Sequence, residues 1–138
     1  MSLLIRVQDK INSTRPEYNK EYYEEKMIEL GIVIVDFVRL NSNDKELVEE
    51  TYKKVFIIMI ELCNKQLYFQ NKNPKLSLEV LIYEKDSEIL LHPKIILYNF
   101  LGQVIKCHAS KYDVFTLIKI GEKLKINIKD LMVSIVQS

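Results

Sequence analysis

Tryptophan is absent, alanine occurs once (Ala109), and glycine and proline occur three times each in 138 residues. Each scarcity excludes something. With so few glycines and prolines there is little material for the many tight turns that an all-β fold requires. Gly31, Gly102 and Gly121 stand singly inside helical patterns, so neither a Walker loop nor a dinucleotide-binding loop is present. With almost no alanine, helices are expected to pack through bulky Ile and Leu, without close contacts at small residues. Arginine is confined to Arg6, Arg15 and Arg39 while Ile and Lys abound, a bias that points to an AT-rich microbial or viral genome.

Reactive side chains are equally sparse. Cys63 and Cys107 lie in apolar periodic segments and are expected as buried free thiols. Two histidines are present, His92 and His108. His108 adjoins Cys107, but neighbours on a helix point about 100° apart and do not share a metal. No CxxC, HxxxH or HExxH spacing occurs, so no metal or cofactor is expected. The start "MSLLIRVQDK" lacks a basic leader followed by a long apolar run, and the longest uncharged apolar run, "IILYNFLGQVI", is eleven residues. A membrane helix requires about 18 or more. A soluble protein of the reducing cytoplasm, with no membrane partner, is the expectation.

What is present is helical periodicity. In "ELGIVIVDFVRL", four β-branched residues in a row resemble a strand, yet alternation is missing. Glu25, Glu29, Asp36 and Arg39 instead fall four, seven and three residues apart, a single narrow polar stripe on a 3.6-residue period. The spacing predicts a helix from about Glu17 to Leu40, with Pro16 near its first turn. A second helix is expected to run to about Phe69, capped by Asn43 with Glu46 completing a capping box and Asp44 in the first turn. Glu49–Lys53, Glu50–Lys54 and Glu61–Lys65 are its i,i+4 ion pairs, with the acid on the favourable N-terminal side. Two long helices joined by about three residues run antiparallel.

"QNKNPK" at 70–75 breaks the pattern. Residues 76–91 alternate enough to form a short β-hairpin turned at "EKDS", although Asn73 and Pro74 can also open a helix, which the helical surroundings favour. Pro93 opens another helical pattern, and Ser110/Asp113 and Asn127/Asp130 are cap pairs for two more. The expected fold is a single all-α domain over 1–138. It is an antiparallel bundle of about six helices built on the N-terminal hairpin of residues ~17–69, with a β-hairpin near 76–91 as the alternative.

Carboxylates are the first place to look for chemistry. Glu21, Glu24, Glu25 and Glu29 resemble the acidic first motif of the all-α nucleotide pyrophosphohydrolases of the MazG type, and "LIKIGEKLKINIKDLM" is similar to that family's last helix. The resemblance implies a magnesium-dependent nucleotide hydrolase. Such a site requires facing carboxylates. Residues equidistant from a turn near Ser42 put "VFIIM" (55–59) opposite Glu25 and Glu29, so a solvated acidic stripe is the preferred reading. Asp36 has Arg39 as a local ion partner, and no second catalytic group accompanies it.

Net charge is +1, so no overall field attracts nucleic acid. From Lys94 onward, however, seven lysines (Lys94, Lys106, Lys111, Lys119, Lys123, Lys125 and Lys129) face three acids. They are candidate phosphate contacts, and "LIKIGEKLKINIKDLMVSIVQ" can be laid over a helix-turn-helix. Its second helix nevertheless offers only Lys129, Ser134 and Gln137 to base edges. The amount of apolar helix surface suggests instead a subunit contact, with Tyr18, Tyr22, Tyr23, Tyr52, Tyr68 and Phe69 as partly exposed anchors. The first expectation is therefore a non-enzymatic helical protein acting through protein–protein assembly, as a homo-oligomer or a small subunit of a complex. A nucleic-acid-associated protein using the Lys-biased C-terminal third and a MazG-like hydrolase are the alternatives.

Overall fold

Caps and apolar spacing define the helices. The computed structural model of the chain describes residues 3–14, 20–40, 43–63, 95 and 111–138. Among them are α1 (Leu3–Thr14), α2 (Lys20–Arg39), α3 (Lys45–Cys63), α4 (Lys111–Lys123) and α5 (Ile128–Gln137), with no strand among the described residues. All-helical character is thus as expected. The break at 70–75, the helix-or-hairpin choice at 76–91 and the helix expected from Pro93 lie outside the described residues.

The sequence reading did not anticipate α1. Leu4, Val7 and Ile11, three and four residues apart, are buried together with Gln8. They pack α1 against α5 and α3. A helix of twelve residues is marginal alone in water, so α1 depends on this docking, where each buried apolar side chain contributes about 1.5–3 kcal/mol.

The cap of α3 is displaced by one residue from the expected Asn43. Asp44 Oδ1 accepts a 3.1 Å bond from the Leu47 amide, and the Asp44 carbonyl accepts from Val48. Asp44 is therefore the N-cap, and its carboxylate also complements the positive end of the helix dipole. The helix is central: it touches α1, α2 and α4, and residues 58–63 are buried in unbroken succession. Along α2 the buried positions are Tyr23, Leu30, Ile34 and Phe37, which share one face. The first turn of α2 lies beside the last turn of α3, where Tyr22 Oη donates to Glu61 Oε2 at 2.6 Å.

A Schellman corner joins α4 to α5. Lys125 takes the left-handed conformation at φ 62°. Its amide bonds to the Glu122 carbonyl, and the Ile126 amide reaches the Gly121 carbonyl at 3.0 Å. The buried Ile126 closes the corner, and α5 then starts on Asn127, whose side chain accepts from the Asp130 amide as the sequence predicts.

Among the described residues the core carries a close contact at a glycine, contrary to the expectation of bulky packing throughout. Tyr52 is fully buried on α3, and its hydroxyl donates to the Leu117 carbonyl at 2.6 Å. It crosses α4 at Gly121, where a Cβ would stand 2.5 Å from Tyr52 Oη and from Ile128 Cδ1. Only glycine admits the phenol.

Ion pairs also differ from expectation. Among the described residues they join Lys20 to Glu24 and Lys26 to both Glu29 and Glu61. Glu49–Lys53, Glu50–Lys54 and Asp36–Arg39 are not among them. Exposed pairs contribute too little to hold long side chains in one geometry. Lys65, the partner expected for Glu61, lies outside the described residues.

Three backbone substitutions have opposite expected effects in urea denaturation. Gly121→Ala loses about 1–3 kcal/mol through overpacking. Gly31→Ala, whose Cβ would meet nothing within 4 Å, gains about 0.5–1 kcal/mol from helix propensity. Lys125→Gly relieves the left-handed strain and gains about 1 kcal/mol. An unchanged midpoint for Gly121→Ala would show that Tyr52 does not cross there.

Burial pushes the Tyr52 phenol far above the ordinary tyrosine range, and the Glu122 carboxylate adds to the effect. Burial likewise raises Tyr23, with a further contribution from Cys63. The folded state keeps these protons while the unfolded chain releases them near pH ~10. Their contribution to stability is therefore complete below about pH 10 and declines as pH rises above it. An alkaline titration followed by tyrosinate absorbance and far-UV circular dichroism should show both phenols ionising only as helicity collapses. Eight tyrosines titrating together ahead of that collapse is the contrary result.

Candidate functional site

The outer face of α2 is where the helix departs from a simple amphipathic design. Glu25, Glu29, Asp36 and Arg39, the expected polar stripe, are all exposed. Glu29 and Asp36 are seven positions apart; Ile32 stands in that gap, 59% exposed, and Ile28, just before Glu29, is 66% exposed. Val35, one turn on, is half-buried. Exposed Glu24, Glu25, Glu29 and Asp36 surround this apolar centre. Two large β-branched side chains in water at i and i+4, within an acidic rim, form the pattern of a contact surface.

The expected tyrosine anchors that are described lie elsewhere. Tyr18, Tyr68 and Phe69 fall outside the described residues. Tyr22 is half-buried and bonded to Glu61. Tyr23 and Tyr52 are corrected outright as exposed anchors. Tyr23 shares the helical phase of Leu30, Ile34 and Phe37 and turns inward with them, and Tyr52 lies on the helix that three others surround. Sequence reasoning missed Ile28 and Ile32 while drawing the stripe that Ile32 interrupts. The seven-residue step was the signal of Ile32.

A polar cluster occupies the start of α2 and the end of α3. Glu61 is only 8% exposed. It accepts from Tyr22 and lies 3.5 Å from Lys26 Nζ, which also donates to Glu29 Oε2 at 3.2 Å and sits 5.4 Å from the centre of the Tyr22 ring. Desolvation pulls the Lys26 pKa down, but the Glu61 carboxylate and the bond to Glu29 together outweigh it, so the net shift is upward. Lys26 stays an ammonium. The acidic motif that resembles the pyrophosphohydrolases thus meets one acid from α3, and a lysine of its own helix supplies the positive charge between Glu29 and Glu61. Such a network stabilises a fold; a magnesium site would instead direct carboxylate oxygens toward a shared vacant point.

Of the candidate phosphate-binding lysines, Lys94 and Lys106 lie outside the described residues, and Lys111 begins α4. Lys119 is half-buried, while Lys123, Lys125 and Lys129 are exposed at or near the α4–α5 corner. Beside that corner a cleft of about 320 Å³ runs between α3 and α5, lined by Glu46, Glu49, Glu50, Lys53, Ile126, Asn127, Asp130, Leu131 and Ser134. Four acids against one lysine repel a phosphate backbone. The would-be reading helix also turns Ile128, Leu131 and Ile135 inward, and the Ser134 hydroxyl donates to the Leu131 carbonyl at 2.6 Å.

Among the described residues, no group of three or more His, Cys, Asp or Glu side chains is placed to hold a metal, and no helix is long and apolar enough to cross a membrane. Cys63 is buried and in no disulfide. No family model matches the chain, and no curated protein or solved structure matches it either.

The Lys26 network makes a graded stability prediction. Tyr22→Phe and Lys26→Met each cost about 1.5–3 kcal/mol, because each removes a bond to a largely buried carboxylate. Replacing the whole set (Tyr22→Phe, Lys26→Met, Glu61→Leu) recovers most of the loss, since an apolar set no longer bears the desolvation of charge. Additive losses in the triple variant, measured by denaturation, would contradict this account.

Proposed function

We propose that this protein is a non-enzymatic helical assembly protein and that the outer face of α2 is its contact surface. The observation that carries the reading is the exposure of Ile28 and Ile32 at the centre of an acidic face. Isolated apolar residues on a surface are ordinary; two one turn apart, ringed by acids, serve to exclude water against a partner. In the same proposal the chain is one antiparallel bundle of about six helices over 1–138. The α2–α3 hairpin at its base is supported by the Tyr22–Glu61 bond between opposite ends of the two helices. A Cys63 outside any disulfide suits a reducing compartment.

Two other activities fit the geometry less well. A nucleic-acid role must overcome the acids of the cleft beside Lys123, Lys125 and Lys129. A nucleotide hydrolase must displace Lys26 from between Glu29 and Glu61.

The test compares wild type with Ile28→Glu/Ile32→Glu, both checked for helicity by circular dichroism. A mass-resolved pull-down should recover from wild type a stoichiometric partner, a further copy of the chain or another protein, that the double variant loses. Recovery of the same set by both proteins, or of nothing by either when wild type also stays monomeric at high concentration, removes the outer face of α2 as the contact surface.

A further inference from the structure

Resting on that reading, we propose that the partner on α2 is a second copy of this chain, docked as an antiparallel α2–α2 pair about a two-fold axis near residue 30. The outer face contains Glu21, Glu25, Ile28, Ile32, Val35 and Arg39, all exposed except the half-buried Val35. Their successive steps are four, three, four, three and four residues. That is the alternating step of a helix–helix seam, in which the residues of one helix pack between those of another. The set is also symmetric about residue 30, because 21 and 39, 25 and 35, and 28 and 32 are each equidistant from it. An antiparallel mate in this register therefore matches every seam position, and the contact closes on itself as an isologous pair.

The chemistry of the seam agrees at its centre and ends. Ile28 meets the partner's Ile32 and Ile32 meets the partner's Ile28, covering the most exposed apolar side chains of α2. Glu21 meets the partner's Arg39 at both ends, so two opposite-charge contacts lie at the solvated rim, where they set register more than affinity. Glu25 is the dissonant residue. It faces the partner's Val35 and lies on the same flank as the partner's Asp36, a like-charge approach that weakens the pair.

Size sets the strength. A 20-residue helix is about 30 Å long, and a single face of it covers less than the roughly 800 Å² per partner of a standard stable interface. The dimer is weak and forms with rising concentration, on the order of micromolar or above.

Sedimentation equilibrium over a wide dilution series tests the pairing. Wild type should show a reversible monomer–dimer equilibrium that Ile28→Glu/Ile32→Glu abolishes with helicity intact. Glu21→Arg alone and Arg39→Glu alone should each weaken it about three- to tenfold by opposing like charges. The double variant Glu21→Arg/Arg39→Glu should restore it, which a parallel pairing cannot do. Glu25→Lys should tighten the dimer, because lysine faces the partner's Asp36; a basic foreign helix on the same face would be repelled by that change. A strict monomer at every concentration, a dimer indifferent to the Ile28/Ile32 change, failure of the charge exchange to restore, or weakening by Glu25→Lys each overturns the proposal. If the chain is monomeric while the pull-down still finds a foreign partner sensitive to Ile28 and Ile32, the self-pairing fails and the assembly role stands. If both are negative, both fall.

Discussion

A buried phenol hydroxyl must find a hydrogen-bond acceptor, and at Tyr52 that requirement ties the fold together. In a helical core nearly every carbonyl is already engaged within its own helix, so the hydroxyl has to share one. The Leu117 carbonyl is reachable because the chain has no side chain at Gly121. One glycine therefore fixes how near α3 and α4 approach, and the Schellman corner that follows from the same residue directs α5 onto α1. In a protein almost without alanine, this contact sets the closest approach where bulky residues would hold helices apart.

Legibility followed locality. The Asn127 cap could be read because the cap rule needs only a few neighbouring residues. The α3 cap was displaced because Asn43 and Asp44 are both competent, and only the backbone decides between them. The amphipathic spacing of Leu4, Val7 and Ile11 was present in the sequence, but so short a pattern draws its stability from α5 and α3, which lie far along the chain. Tyr23 and Tyr52 show that residue type is weaker evidence than helical phase: phenols suit interfaces and cores alike, and the phase shared with Leu30, Ile34 and Phe37 decides for Tyr23. Glu61 followed tertiary structure over local pairing. The equidistance rule that set apolar residues opposite Glu25 and Glu29 also sets position 61 beside position 22, so that contact was available to the same reasoning.

The two polar features of α2 illustrate opposite uses of acid. Inside the hairpin, Glu61 is balanced by an ammonium and a phenol and is spent on holding two helices in register. On the outer face, Glu24, Glu25 and Asp36 flank an apolar centre instead of a buried base, and Glu29, held by Lys26, stands at the boundary between the two. Charge of that kind, around isoleucine, selects against unwanted contacts as much as it promotes a wanted one. The same 20 residues therefore carry an inward network for stability and an outward surface for recognition, divided by helical phase.

The Tyr52 bond spans 65 positions of chain, and this separation bears on synthesis. While the nascent polypeptide is growing, α3 leaves the ribosome with its phenol facing a surface that does not yet exist. Its β-branched, apolar flanks have modest intrinsic helicity; α2 is already present to pack against them, but the acceptor arrives only with α4. Until α4 has emerged, an intermediate of α1 to α3 carries that hydroxyl without its acceptor and leaves the α4-facing side of α3 open to a chaperone.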